Sequence, residues 1–328
     1  MKKVIVVTGA AGFIGCNTVA ALNARDIDDL LLVDSLGRDE KWRNLMALRF
    51  HDIIAPKSLL ELLKSNRRRS IGAVIHLGAL SSTTETDADL LLSNNYHYTK
   101  TLCQWCLQND ARFIYASTAA TYGDGTFGFD DNDNVTAILQ PLNMYGYSKH
   151  LFDLWALRSG ALKHIAGLKY FNVFGPHENH KGEMRSVVCK MREQIQRNDE
   201  VLLFKSYDPQ IPDGEQRRDF IYVEDAVAVT LHFLDHRERS GLFNCGTGKS
   251  HSWNDLAATV FTALNRSPRI RYIDMPPDVR GKYQYFTEAK TEKLRRAGYV
   301  KNFMPLEDGV RKYVSRYLCG SGSKATEL

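Results

Sequence analysis

An α/β chain built on a doubly wound parallel sheet, with a smaller C-terminal lobe, is what the sequence predicts, and three observations predict it. Short β-branched runs alternate with helix-length stretches through the first half, as parallel strands do when helices cover both faces of their sheet. The first of these runs leads straight into Gly9, Gly12 and Gly15 and then into a helical stretch. The chain has 328 residues, 44% of them hydrophobic, which is enough for a substantial core in one large domain or two unequal ones. Together these features describe a Rossmann-type sheet with a substrate-binding lobe appended.

Taken in order, strands are expected at 3–8, 30–34, 73–76, 112–116 and 165–170, with helices near 13–24, 88–108 and 145–157. After Phe174 the alternation loosens into polar loops at 177–185 and 207–217 with shorter elements between. Strands at 220–223 and 242–244 are expected to rejoin the first domain. The resulting division is a dinucleotide-binding domain over 1–175, with returning segments from about 220–248, and a substrate-binding lobe over 176–319. The glycine- and serine-rich end, 320–328, reads as a disordered tail or a cloning remnant.

Composition narrows the class. No apolar run approaches the roughly 20 residues that span a bilayer, and the run 4–7 is broken by Thr8 and Gly9 before it can act as a secretory core, so the cytoplasm is the expected compartment and no membrane is involved. Six scattered cysteines in a chain of this size suit a reducing compartment. Cys103 and Cys106 form a CxxC, but with no second pair nearby they read as packed thiols, and no metal site is expected. The net charge of +5 comes without a long basic block, and Arg67–Arg68–Arg69 reads as a solvated helix end, so no nucleic acid is expected. A mildly basic protein still suits an anionic small substrate.

Residues 4–15 read VIVVTGAAGFIG. Gly9 permits a tight turn, Gly12 lets the backbone approach a pyrophosphate, and Gly15 lets the helix pack close on the strand. The helix N-terminus then offers free N–H groups and the positive end of its dipole to phosphates. Asp34, at the end of the second strand, can accept hydrogen bonds from an adenosine ribose 2′-OH, which favours NAD. Arg38 and Lys41 follow and can instead neutralise a 2′-phosphate, so the residues alone leave NAD and NADP open.

Residues 141–149 read PLNMYGYSK, placing Tyr145 and Lys149 four apart at the start of a helical pattern and therefore on one face. The ammonium of Lys149 is expected to lower the pKa of the Tyr145 phenol and make it a usable base, while Tyr147 points elsewhere. The strand upstream ends in Tyr115-Ala116-Ser117-Thr118, and Thr118 is the hydroxyl expected to bond the reacting oxygen.

The GxxGxxG spacing resembles the extended short-chain dehydrogenase/reductase family. The segments TGAAGFIG (8–15), HLGALSSTTE (76–85), NNYHYTK (94–100), YASTAATYG (115–123), KYFNVFGPHENHKGEM (169–184), RRDFIYVED (217–225), FNCGTGKS (243–250) and GKYQYFTEA (281–289) resemble its ADP-heptose 6-epimerases over nearly the whole chain. The SSTTE, HKGxM and KYQxFT stretches separate that group from ordinary UDP-sugar epimerases. The resemblance implies Tyr145 and Lys181 as the two acid/base residues and puts Lys149 on the nicotinamide ribose. It places Gly9, Gly12, Phe13, Ile14, Gly15, Asp34, Ser35, Lys41, Leu77, Gly78, Ala79, Leu80, Ser81, Asn94, Val173 and Lys181 around the cofactor. Asn172, Arg218 and Tyr283 would contact an ADP-sugar, with Phe204, Lys205 and Ser206 near its adenine and Glu183 and Lys190 on the substrate side. Thr118 stands where a serine is usual and Lys190 where a histidine is common. The resemblance further implies NADP as the cofactor, ADP-heptose as the substrate, a lipopolysaccharide core precursor as the product, and a homo-oligomer, a pentamer or a pair of them. His177 and His180 read as a solvated loop pair, and Arg218 has the alternative of a salt bridge to Asp219 or Asp225.

The heptose C6 has no adjacent carbonyl, so no side chain can remove its C–H proton directly, and inversion has to pass through a ketone with two opposed groups handling protons. A UDP-hexose 4-epimerase or a nucleotide-sugar 4,6-dehydratase on the same fold is the competing enzyme reading. Against the dehydratase stands Ala119–Ala120 where an Asp–Glu pair would follow the strand hydroxyl. A non-catalytic NADP-sensing protein is the competing non-enzyme reading, and it would need no Tyr-x3-Lys pair.

Overall fold

The structure, a computed structural model, describes residues 3–65, 70–281 and 283–318. The arginine run 67–69, Cys319 and the tail 320–328 lie outside the described residues. Twelve strands are present among those described: β1 (Val4–Thr8), β2 (Leu30–Val33), β3 (Asp52–Ile54), β4 (Ile71–His76), β5 (Arg112–Thr118), β6 (Ala166–Tyr170), β7 (Asn172–Phe174), β8 (Val201–Phe204), β9 (Arg217–Tyr222), β10 (Gly241–Cys245), β11 (Ser250–Ser252) and β12 (Ile270–Ile273). Seven of them form one all-parallel sheet in the order β10-β6-β5-β4-β1-β2-β3. The chain moves outward from β1 through β2 to β3, then returns to lay β4 on β1's other side. This leaves a switch point between β1 and β4, and the crevice beyond their carboxyl ends is where such sheets bind ligands.

The strands read as continuous apolar runs because helices bury both faces, as the fully buried β2 (LLLV) shows. Val19 and Leu22 of the helix Phe13–Asn23 and Val227 and Phe233 of the helix Val223–Asp235 pack on one face. Leu59, Leu102, Cys106 and Phe152, from the helices Pro56–Lys64, Tyr98–Gln108 and Met144–Arg158, pack on the other. Cys103 and Cys106 are buried, and burial pushes the Cys103 thiol up to about 12, which leaves it inert as a nucleophile.

Several elements differ from expectation. The strand β3 and the helix Pro56–Lys64 are additional, being only three and nine residues long. The helical stretch over 88–108 is interrupted by a π segment, Leu92–His97, between the helices Ala88–Leu91 and Tyr98–Gln108. Past residue 174 the elements are not short: the helices Val187–Asn198, Val223–Asp235 and Trp253–Ala263 have 12, 13 and 11 residues. Of the two returning strands, β10 joins the large sheet beside β6, whereas β9 pairs with β7 and β11 in a separate three-stranded sheet. That small sheet, the pair β8–β12, and the helices Val187–Asn198, Trp253–Ala263 and Leu306–Tyr313 close over their own apolar cluster, which includes Met191, Ile195, Phe261 and Val310. No helix among the described residues is long and apolar enough to cross a membrane.

Candidate active site

A cleft of about 680 Å³ opens at the switch point. Its floor is the β1–helix turn. Gly9 has φ +66°, and a Cβ there would stand 2.6 Å from the Gly78 amide nitrogen; at Gly15 a Cβ would stand 2.0 Å from the Gly9 carbonyl oxygen. Any larger residue at either position collides with backbone, so the helix can pack this close only on glycine. The helix begins at Gly12 with no side-chain cap, which leaves its first N–H groups for a ligand anion. This uncapped, glycine-cleared turn fits a dinucleotide pyrophosphate.

The adenosine side is set by Asp34. Its Oδ2 accepts from Ala11 N at 2.8 Å, while Oδ1 accepts from Ser35 N at 2.8 Å and from Lys41 Nζ at 2.9 Å. Lys41 lies on the turn Glu40–Leu45 and lines the cleft with Asp34. Ser35 is exposed and takes part only through its backbone. On the opposite wall Leu77, Gly78, Ala79, Leu80 and Ser81 line the cleft, and Asn95 holds that segment, accepting from Leu80 N and donating to Leu80 O, each at 2.9 Å. Asn94 is not at the cleft. It is exposed and its amide turns back to the Leu90 carbonyl, because the π segment aims its buried neighbour Asn95 inward instead.

At the other end Thr118, Tyr145 and Lys149 converge. The Thr118 hydroxyl faces the Tyr145 phenol in the cleft, and Lys149 Nζ donates to the Ala116 carbonyl at 2.8 Å. Tyr147 is exposed on the opposite side of the helix. Burial pulls the Lys149 ammonium down to about 8, partly countered by Asp153. The Tyr145 phenol departs from expectation: burial raises its pKa, countered by the Thr118 hydroxyl, while Lys149 is engaged with the strand carbonyl. Asp153 continues the same helix face and is fully buried, accepting from Tyr115 at 2.8 Å, Ser117 at 2.7 Å and Lys169 at 2.9 Å. It thereby satisfies a lysine placed in the middle of the buried strand β6.

Lys181 enters from the turn Asn179–Met184, with Nζ 5.2 Å from the centre of the Phe13 ring, and shares the cleft with Tyr145. Burial lowers its ammonium pKa, countered by Glu178. Burial thus favours the neutral form of both the phenol and the amine, so each can carry a proton to or from a substrate oxygen. His180 also lines the cleft, with Nδ1 3.3 Å from the Asn44 amide, so only His177 is exposed as the solvated-pair reading expected.

Asn172 and Val173 line the cleft, and so does Phe220. Two residues before Phe220 on β9, Arg218 extends the same strand face into a second feature. Its buried guanidinium lies 5.5 Å from the Trp253 ring and 5.1 Å from the Tyr283 ring, and Trp253 Nε1 donates to the Tyr283 hydroxyl at 2.8 Å. Asp219 is occupied by Thr247, Gly248 and Ala289, and Asp225 by Met304 N, so among the described residues no carboxylate pairs with Arg218. Burial lowers its pKa, as expected of a cation waiting for an anion. Phe204 ends β8. Ser206 follows with its hydroxyl on the Asp208 carbonyl, and Tyr285 reaches from the Tyr283 ring to Tyr207 N, joining that loop to the Arg218 cluster. Lys205 pairs with Asp274, and Lys190 pairs with Glu183 at 3.1 Å; neither pair lines the cleft. Among the described residues no group of three His, Cys, Asp or Glu side chains is placed to hold a metal ion.

Sequence reasoning passed over Asn95, Trp253, Glu85 and Phe220 and read His180 as solvated. All but Trp253 sat inside quoted motifs, whereas Trp253 carried no local signal at all.

Comparison with known proteins gives a consistent picture. The model of the NAD dependent epimerase/dehydratase family matches residues 5–246. The ADP-L-glycero-D-manno-heptose-6-epimerase of Nitratidesulfovibrio vulgaris (strain Hildenborough) is 52% identical over 317 residues, covering 96% of this chain and 98% of that one. The enzyme of the same name from Fusobacterium nucleatum is 45% identical over 329 residues, covering 97% and 99%. The crystal structure of Helicobacter pylori ADP-L-glycero-D-manno-heptose-6-epimerase superposes with a TM-score of 0.80 at 26% identity, covering 95% of each chain.

Proposed function

Since this chain belongs to the NAD-dependent epimerase/dehydratase family, we propose that it inverts C6 of the heptose in ADP-D-glycero-D-manno-heptose, giving ADP-L-glycero-D-manno-heptose through a transient 6-ketone. The relatives that carry this name support the substrate. The observation that carries the reading is the meeting of Tyr145 and Lys181 in one cleft above a glycine cradle that admits a dinucleotide.

A nicotinamide bound there supplies the acceptor, and then the donor, of the C6 hydride. Tyr145, held by Thr118, takes the hydroxyl proton as the ketone forms. Once the sugar side chain has turned its other face, Lys181 delivers a proton to the ketone oxygen. Lys149, fixed on the Ala116 carbonyl, holds the nicotinamide ribose. Arg218, buried without a carboxylate between Trp253 and Tyr283, grips the diphosphate of the substrate. Asn172 and the 204–206 loop complete that side.

For the cofactor we read NADP rather than NAD. The Asp34 carboxylate already accepts three hydrogen bonds, and Lys41 stands beside it to neutralise a 2′-phosphate. The family resemblance supports a cytoplasmic homo-oligomer, a pentamer, which light scattering of the purified protein tests.

The deciding experiment is incubation with ADP-D-glycero-D-manno-heptose in deuterated water. Conversion without deuterium at C6 is expected, because the same hydride returns; deuterium at C6 overturns the route. A UDP-hexose 4-epimerase would instead turn over UDP-galactose and survive loss of Lys181.

A further inference from the structure

The side-chain amide of Asn44 joins three segments. Its Nδ2 donates to the Ala11 carbonyl at 2.9 Å and lies 3.3 Å from both the His177 carbonyl and His180 Nδ1. Ala11 gives its own N–H to Asp34, so the two successive peptide groups flanking this residue of the glycine turn are both held. Asn44 and Lys41 share the turn Glu40–Leu45, which ties the adenosine side of the cleft to the loop that carries Lys181. A second tie runs alongside, where Asn17 Nδ2 donates to the Phe13 carbonyl at 2.8 Å and the Pro176 carbonyl at 3.1 Å.

Beyond these two ties, the Gly182 carbonyl accepts from Arg185 Nε at 2.9 Å. The turn Asn179–Met184 has no side-chain cap and no buried residue, and its Gly182, at φ +52°, meets nothing within 4 Å of a Cβ position. Its far end is anchored separately, by the buried Glu178 accepting from the Ser186 hydroxyl at 2.5 Å and the Tyr313 hydroxyl at 2.8 Å. Between these anchors, the placement of Lys181 over Phe13 follows from the contacts of His177 and His180 with Asn44.

We infer that Asn44 is a positioning residue that latches the 177–182 loop onto the glycine turn, fixing Lys181 opposite Tyr145 and keeping the cleft shut while the ketone exists. The chemical half of this inference rests on the proposed epimerase reading; the latch itself does not. If the loop opens between the two half-reactions, the ketone escapes with the substrate's two electrons left on the cofactor, so the enzyme stalls with reduced nicotinamide.

The test uses the full chain with its bound cofactor, as Asn44→Ala and as the near-isosteric Asn44→Asp, which removes both donor hydrogens. Hydrogen exchange needs no substrate: amides at 179–184 should exchange about five- to tenfold faster, the factor one net hydrogen bond controls. With ADP-heptose, kcat should fall about tenfold or more while KM stays within about threefold, and absorbance at 340 nm should climb with turnover as reduced cofactor is stranded. A merely structural role would lower stability without stranding reduced cofactor. Wild-type exchange and kcat in Asn44→Asp would overturn the inference, as would a fall in kcat matched by loss of bound cofactor. A wild-type chain that leaves ADP-heptose untouched would sink the functional reading and not this one, because exchange at 179–184 then decides alone.

Discussion

The two ends of the ligand-binding surface are built on different principles. The cradle under the cofactor is mostly backbone: within residues 9–15 the three glycines make the room, and the uncapped N–H groups at the helix start carry the charge preference. The substrate side is made of side chains from distant segments, with Arg218 on β9, Trp253 at a helix start and Tyr283 in a late loop meeting across 35 and 65 residues of chain. A backbone site tolerates no added volume but has no key side chain to lose. A side-chain site can be taken apart one group at a time, and the catalytic groups between the two belong to the second kind.

The largest effect should come where side chains perform the chemistry. Tyr145→Phe and Lys181→Met should each lower kcat by about 10²–10⁴-fold with cofactor retained, read by steady-state kinetics and by the absorbance of released nucleotide. Near-wild-type turnover in either would break the assignment of proton handling to that residue. Next comes Arg218→Met, which removes a cation from a charged hydrogen bond and should raise KM for the ADP-sugar by roughly ten- to a hundredfold while kcat changes less. An unchanged KM would leave Arg218 as a packing residue.

On the backbone side, Gly15→Ala forces a methyl to 2.0 Å from the Gly9 oxygen. It should cost about 1–3 kcal/mol of stability and most of the bound cofactor, seen together in a thermal melt and a cofactor spectrum. A cradle that kept full occupancy would mean that this turn accommodates a Cβ after all. Lys41→Ala should weaken NADP by about tenfold relative to NAD, measured as the ratio of the two dissociation constants, since one charge contact to a phosphate is lost.

The mildest expected effect is on pH. Burial holds the Lys149 ammonium near 8, so its charge is present below that value and lost as pH rises through it, and kcat/KM should fall on an alkaline limb near pH 8. A profile flat to about pH 10 would place the limb on another group.

What the sequence determined by itself is what short spacing determines. Three glycines after a strand, Tyr145 four residues before Lys149, and Thr118 at a strand end can be read because a turn or a helix brings near neighbours together whatever the rest of the chain does. Lys181 was legible through resemblance alone, as no local pattern distinguishes it from any other loop lysine. Tertiary structure decided the rest. It chose Asn95 over Asn94 by inserting a π segment, sent β9 to a separate sheet while β10 closed the large one, brought His180 to Asn44, and left Arg218 buried without a carboxylate. The physical reason is that each of these depends on which distant surface fills the space opposite a side chain. That is a property of packing between elements, and no window along the chain contains it.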